Sequence, residues 1–219
     1  MLQNFIFDLD GTLIHSSPGI THSFNHAYKQ VFKTEPKFDI ESQIGPPVSQ
    51  MLLRSRPEET TQEQLNQFVA TFQNEYDTNG YKKTLVYDEV TDTLRSLFEK
   101  DCNLFIATNK RQRPTVNILS LLHLEQFFKD VYCIDSHNQV FPTKSQMVEN
   151  LVRDWKLNVA DTLLIGDTSH DHKAASDNAI RFIFAKYGYA QDETYPDYIT
   201  SIASVQNLLL NKYEKKPNL

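Results

Sequence analysis

Asp8 and Asp10, separated by one residue, follow the first apolar run of the chain, in residues 7–12 (FDLDGT). Alternate residues of a strand project to one face, so a strand over 4–9 would bring the two carboxylates together. Carboxylates held that close repel each other unless a cation or a shared proton relieves them. Mg²⁺ prefers oxygen ligands and often keeps a substrate phosphate in its shell, so the pair indicates a cation and phosphate site. The alternative is a solvated turn.

Further polar residues follow later apolar runs. Thr108 and Asn109 can donate to phosphate oxygens or cap a helix. Lys144 stands at a predicted helix start, where a cation opposes the helix dipole. It is therefore either a surface lysine or a charge used on a phosphate and a carboxylate. Asp167 fits a metal ligand, and Asp171, near another predicted helix start, fits a residue that supports a ligand.

The elements that must position these residues alternate between strand and helix. Short apolar runs predict strands at 4–9, 103–108, 130–134, 162–165 and 181–185, and periodic patterns predict helices at 91–99, 113–122, 144–155 and 171–178. This alternation predicts an α/β fold, a Rossmann-like parallel sheet flanked by helices. Ligands of such sheets bind beyond the carboxyl ends of the strands, where the polar residues collect.

One segment breaks the alternation. Residues 15–83 show no convincing buried strand, and helical patterns cover 20–32, 48–53 and 61–79. The economical interpretation is a small all-helical cap domain, 15–83, inserted after the first strand. The α/β core domain would then comprise 1–14 and 84–219, with hinges at 15–19 and 80–85.

Composition excludes several classes of protein. The 219 residues carry a formal net charge of −6, which argues against an electrostatically driven nucleic-acid partner. No stretch approaches the roughly 18 apolar residues of a membrane helix. We therefore expect a cytoplasmic protein with no membrane partner, either monomer or homodimer. Cys102 and Cys133 are expected to be buried, reduced thiols.

Together these residues resemble the motifs of the haloacid dehalogenase-like hydrolase superfamily. Residues 8–13 (DLDGTL) are similar to its first motif, Thr108 to the second, Lys144 to the third, and Gly166-Asp167 with Asp171 to the fourth. The helical insert falls where the family has its cap. Residues 44–47 (IGPP), 108–110 (TNK) and 187–189 (YGY) look most like the phosphoglycolate-phosphatase-like branch.

The resemblance implies a Mg²⁺-dependent phosphatase acting on a small phosphorylated metabolite. Asp8 would attack phosphorus to form an aspartyl-phosphate, and Asp10 would act as general acid and base. Mg²⁺ would be held by the Asp8 carboxylate, the Asp10 backbone carbonyl and Asp167, supported by Asp171. The same resemblance implies that Thr108 and Asn109 grip phosphate oxygens, that Lys144 holds Asp8 and the phosphate together, and that cap closure excludes water.

Other functions stay open on this scaffold. A phosphomutase of the β-phosphoglucomutase type usually carries Lys-Gly-x-x-Arg in the cap loop, whereas this chain has 44–48 (IGPPV). A pyrophosphatase or a nucleotidase is harder to separate. Outside enzymes, the alternatives are a receiver-like signalling module, which would place its acidic pair differently, and a silent scaffold.

The sequence also departs from the branch at His15, where an Asp is common, and at 85–88 (LVYD), which lacks the usual Pro-Gly. The roles of His15, of the cap histidines His22 and His26, and of the cap arginines Arg54 and Arg56 stay undetermined at this level.

Overall fold

A six-stranded parallel sheet forms the centre of the molecule in the computed structural model, which describes residues 2–44, 46–56, 60–190 and 192–210. Its strands are β1 (Asn4–Phe7), β4 (Asn103–Thr108), β5 (Asp130–Cys133), β6 (Thr162–Gly166), β7 (Arg181–Ala185) and β8 (Tyr198–Ile199). Their order across the sheet is β5-β4-β1-β6-β7-β8. The predicted α/β class is thereby confirmed.

The register of the central strands fixes where the polar residues emerge. Phe7, the last residue of β1, pairs with Ile106 of β4 on one side and with Ile165 of β6 on the other. The three strands therefore end at nearly the same level of the sheet. Asp8 and Asp167 directly follow β1 and β6, and Thr108 is the last residue of β4, so all three come to one edge of the sheet.

Helices cover both faces of the sheet because alternate strand residues point to opposite sides. Phe5 and Phe7 of β1 join one apolar core, whereas Ile6 joins the other. The first core includes residues of α4 (Val90–Phe98), α5 (Gln112–Leu121) and α8 (Ser204–Leu210), and the second includes residues of α6 (Lys144–Asp154) and α7 (Ser169–Asp177).

The segment after β1 is helical and has an apolar core of its own. It contains α1 (Ser17–Phe32), α2 (Val48–Ser55) and α3 (Gln62–Thr78). Phe24, Tyr28 and Phe68 are buried together between these helices. A capping box formed by Thr61 and Gln64 begins α3. All three helices lie within 15–83, the segment expected to form the cap.

Two short strands, β2 (Ile14–His15) and β3 (Leu85–Val86), join this helical segment, called the cap below, to the rest of the fold. They pair antiparallel, Ile14 with Val86 and His15 with Leu85, where the chain enters and leaves the cap. This ribbon lies at the expected hinges, although no strand was predicted there. Two residues are too few to show an alternating pattern.

Three further observations bear on the expectations. The seven predicted helices correspond to α1–α7 with ends that agree within three residues. Cys102 and Cys133 are buried free cysteines, as expected. Across the part of the chain that the structure describes, no helix combines the length and the apolarity needed to span a bilayer.

Candidate active site

Asp8, the candidate nucleophile, directly follows β1 and precedes the turn at residues 11–13. The first strand was predicted to extend to Leu9, but it ends at Phe7 because the Leu9 carbonyl accepts hydrogen bonds from the amides of the following turn, including Ile14 at 3.0 Å. The expected strand therefore stops short of both residues, although the charge of Asp10 still acts on Asp8. Asp8 is 7% exposed, and its amide donates to the Ile165 carbonyl at 2.8 Å.

Three buried carboxylates meet at this edge of the sheet. Asp8, Asp167 and Asp171 each offer one oxygen within 4.8 Å of the others. Burial raises the pKa of Asp8 to about 7, with the Asp171 charge adding to the rise and Lys144 opposing it. Burial, together with the charges of Asp8 and Asp171, raises the pKa of Asp167 to about 8. A bound cation would relieve this repulsion and favour the ionised carboxylates.

The two carboxylate oxygens of Asp167 differ in their hydrogen bonding. Its Oδ2 accepts a hydrogen bond from the Tyr189 amide at 2.7 Å. Its Oδ1 is buried and has no hydrogen-bond partner among the described residues. A buried carboxylate oxygen without a partner is costly, and a hard cation is a suitable partner for it. The residues present therefore fit a divalent metal ion.

Asp171 is oriented by the beginning of α7. Its Oδ2 accepts hydrogen bonds from the Thr168 amide at 3.0 Å and from the Thr168 hydroxyl at 2.7 Å. Its other oxygen, Oδ1, forms an ion pair with Lys144. Asp171 thus lies within the carboxylate cluster, where it could ligate a metal directly or orient Lys144.

Lys144 is a buried cation between two acids. Its Nζ donates to Asp8 Oδ1 and is paired with Asp171 Oδ1, and the residue is 6% exposed. Although burial lowers the pKa of Lys144, the charges of Asp171 and Asp8 outweigh burial and hold the pKa above its ordinary value. The alternative of a surface lysine is thereby excluded. Thr143 caps α6 by accepting a hydrogen bond from the Gln146 amide at 3.2 Å.

The Asp10 side chain is engaged elsewhere in the site. Both of its oxygens accept hydrogen bonds from Lys110 Nζ, at 2.8 and 3.1 Å. Thr108 is buried and accepts from the Lys110 amide at 3.1 Å, whereas Asn109 is exposed. Phosphate binding by Thr108 and Asn109 and metal binding by the Asp10 carbonyl stay predictions.

Sequence reasoning gave no role to two neighbours of the site. In the sequence, Lys110 stood out only as part of residues 108–110 (TNK). Nothing there indicated that its side chain is directed towards Asp10. Gly188 lies against Asp167, since an added Cβ would lie 2.3 Å from the Asp167 Cβ. The sequence signal for Gly188 was its position between Tyr187 and Tyr189, shortly after β7.

An open cavity of about 600 Å³ lies beside the site, between the cap and the core. Its lining includes His15 and Glu41 from the cap side and Tyr87 and Tyr189 from the core side. Burial and the charges of Asp167 and Asp10 raise the pKa of Tyr87 to about 12, so this ring lies near the carboxylates. The cavity reaches the site through Gly188 and Tyr189, which contact Asp167.

The remaining cap candidates make local contacts. His22 Nε2 is 3.1 Å from Glu75 Oε1. Within the described ranges the three-aspartate cluster is the one group suited to a metal, and it includes neither His22 nor His26. The Arg56 guanidinium lies 4.6 Å from the centroid of the Phe32 ring, within the cap. Arg54 is exposed.

A parallel α/β sheet with buried aspartates at the carboxyl ends of its strands is typical of a class of enzymes with an aspartate-based active site. The family model for haloacid dehalogenase-like hydrolases matches residues 5–185, and the chain belongs to this family. The resemblance inferred from the motifs is therefore confirmed at the level of the superfamily.

Individual relatives agree with this family. A pyrophosphatase from Halalkalibacterium halodurans is 29% identical over 216 residues, covering 95% of each chain. A phosphoglycolate phosphatase from Nitrosospira multiformis is 27% identical over 193 residues, covering 86% of this chain and 85% of its own. A haloacid dehalogenase-like hydrolase from Streptococcus pneumoniae has the same fold, with a TM-score of 0.82 at 21% identity over 95% of this chain and 98% of its own. The relatives support a phosphatase, and their names differ in substrate.

Proposed function

We propose that this protein is a Mg²⁺-dependent phosphatase that hydrolyses a small, phosphoglycolate-like phosphomonoester through an aspartyl-phosphate on Asp8. The observation that carries the proposal is the placement of Asp8, buried against Lys144 with carboxylate oxygens of Asp167 and Asp171 within 4.8 Å. Asp8, Asp167 and Asp171 offer oxygens for Mg²⁺, which when bound would reduce the repulsion between the anionic nucleophile and the anionic phosphate.

In the first step an Asp8 oxygen attacks phosphorus, and the bond from phosphorus to the leaving oxygen breaks. Asp10 donates a proton to that oxygen, which departs as an alcohol. Lys144 holds Asp8 in place and offsets charge on the transferred group. Thr108, at the end of β4, would donate its hydroxyl to a phosphate oxygen.

In the second step a water molecule attacks the phosphorus of the aspartyl-phosphate. Asp10, now ionised, accepts a proton from that water, and the bond between phosphorus and the Asp8 oxygen breaks. Inorganic phosphate leaves, Asp8 is again a carboxylate and Asp10 is again protonated. A docked cap would keep bulk water from the reacting atoms.

Three other activities would use the same carboxylates. Pyrophosphate hydrolysis has support in the name of one relative, and nucleotide hydrolysis would need only a larger leaving group. A phosphomutase is less favoured because the 44–48 segment lacks the Lys and Arg of that pattern. Membership of a hydrolase family argues against a receiver-like module.

The test measures phosphate release from phosphoglycolate, sugar phosphates, nucleoside monophosphates, pyrophosphate and 4-nitrophenyl phosphate, with Mg²⁺ and with a chelator. Asp8→Asn keeps the side-chain shape and removes the nucleophile, and Asp101→Asn, at an exposed aspartate, is the matched control. We expect Mg²⁺-dependent turnover that falls about 10³-fold or more in Asp8→Asn alone. No release from any compound by a folded wild-type protein would refute the proposal.

A further inference from the structure

Lys110 binds the carboxylate that the proposed mechanism uses for proton transfer. Its Nζ lies 2.8 and 3.1 Å from the two oxygens of Asp10. The Lys110 side chain is 8% exposed and that of Asp10 is 22% exposed. This ion pair is therefore largely withdrawn from water, where such contacts orient a carboxylate more strongly than at the surface.

The core fixes the backbone of Lys110. Its amide donates to the Thr108 hydroxyl at 3.1 Å, and its carbonyl accepts from the Ile134 amide at 3.3 Å. These bonds join it to the ends of β4 and β5. Lys110 therefore projects towards Asp10 from a rigid part of the sheet edge.

The cap covers the other side of the Lys110 ammonium. Nζ lies 4.7 Å from the centroid of the Tyr76 ring, which belongs to α3 and is 3% exposed. Although burial lowers the pKa of Lys110, the Asp10 charge and Tyr76 hold it above its ordinary value, so the group stays a cation. An aromatic face is an apolar neighbour that a buried cation tolerates.

Adjacent contacts hold α3 against the core at this point. Arg111 Nη2 is 2.6 Å from Asp77 Oδ1, and Asp77 directly follows Tyr76 in α3. Within the helical segment itself, Gly19 of α1 approaches Gly80 closely beside Tyr76, since a Cβ on Gly19 would lie 2.3 Å from the Gly80 carbonyl oxygen. The docked position of α3 thus places Tyr76 over Lys110.

We propose that Lys110 is a positioning residue that orients the Asp10 carboxylate for proton transfer, and that Tyr76 shields this ion pair when the cap is docked. The inference rests on the proposed function, because it needs Asp10 to act as general acid. In that form one Asp10 oxygen carries the proton and the other still accepts a hydrogen bond from Lys110. Lys110 acts through Asp10. Its loss should therefore slow departure of leaving groups that need a proton and spare those that do not.

The experiment compares kcat/KM for an alkyl phosphate and for 4-nitrophenyl phosphate in wild type and Lys110→Met. This ratio reports events up to the first phosphoryl transfer, so hydrolysis of the aspartyl-phosphate does not affect it. We expect about a 100-fold loss for the alkyl phosphate and less than about 5-fold for the aryl phosphate. Inhibition by inorganic phosphate should stay within about 3-fold of wild type, because Lys110 does not hold the phosphate.

Matched variants separate positioning from structural effects. Lys100→Met changes an exposed lysine near the other end of β4 and should leave both kcat/KM values unchanged. Lys110→Arg, which keeps the charge, should recover part of the alkyl phosphate activity. In an Asp10→Asn background, Lys110→Met should cause no further leaving-group-dependent loss. If Lys110→Met does not fold, Tyr76→Leu should show the same leaving-group preference with a smaller loss.

Equal losses for the two substrates, or no loss for either, would overturn the inference. Phosphate inhibition weakened about 10-fold or more would also overturn it, since Lys110 would then be a phosphate ligand. If wild type shows Mg²⁺-dependent turnover but the losses are equal, this inference alone fails. If wild type shows no turnover, the proposed function fails and takes this inference with it.

Discussion

Gly11 leaves space that Asp167 fills: a Cβ added at Gly11 would lie 2.1 Å from Asp167 Oδ2. Gly11 also has φ of 83°, a conformation that L side chains rarely adopt. The turn after the nucleophile and the carboxylate after β6 therefore fit together only without a side chain at residue 11.

Gly11→Ala should damage both stability and activity. Backbone strain and the overlap with Asp167 predict a loss of about 1–3 kcal/mol in the free energy of unfolding. Displacement of Asp167 predicts about a 100-fold fall in phosphate release. Denaturant unfolding and the phosphate assay measure the two effects. Wild-type values in both would show that the turn tolerates a side chain and that this packing is not needed.

The metal-free protein should become less stable as the pH rises from about 4 to about 8. The pKa of Asp8 is raised from 3.8 to about 7 and that of Asp167 from 3.8 to about 8. In this window the unfolded chain has already lost the protons that the folded protein keeps, so deprotonation favours unfolding. Thermal unfolding in chelator at several pH values measures this trend.

Added Mg²⁺ should oppose that trend, because it binds the ionised carboxylates of the folded protein. Its stabilising effect should be large near pH 8 and small near pH 5. A stabilisation by Mg²⁺ that does not change with pH would contradict a site built from Asp8 and Asp167.

Asp167→Asn should separate stability from activity. The substitution removes one buried negative charge, so the metal-free protein should unfold at a higher temperature at pH 8 than wild type does. It also removes a metal ligand, so Mg²⁺ should stabilise the variant less and phosphate release should fall about 100-fold or more. Asp161→Asn, at a residue beyond the opposite end of β6, provides a comparison away from the cluster.

The position of the site at one edge of the sheet could be predicted from sequence, because that position depends on where the strands end. Apolar runs locate β1, β4 and β6, and parallel strands bring their carboxyl ends together, so Asp8, Thr108 and Asp167 were expected at one place. Lys144 was found because a cation at a helix start is unfavourable unless a nearby acid compensates it. These signals are local in sequence.

The contacts that sequence did not provide depend on tertiary packing. The Lys110 ammonium meets Asp10 because β1 and β4 lie side by side, and it meets Tyr76 because α3 of the cap packs against the core. Asp171 was expected to support a ligand, but its place as a third buried carboxylate beside Asp8 and Asp167 depends on the pairing of β1 with β6. The ribbon of β2 and β3 and the edge strand β8 have two residues each, too few for a periodic pattern.

The central claim, covalent catalysis by Asp8, is tested most directly by trapping the intermediate in Asp10→Asn. This variant should still accept a phosphoryl group from 4-nitrophenyl phosphate, whose leaving group needs no proton, but should hydrolyse the aspartyl-phosphate slowly. Rapid acid quenching followed by mass spectrometry of the peptide containing Asp8 should then show one added phosphoryl group, which Asp8→Asn lacks. Turnover by wild type without any phosphoryl group on Asp8 in the Asp10→Asn variant, or full activity in Asp8→Asn, would contradict the account.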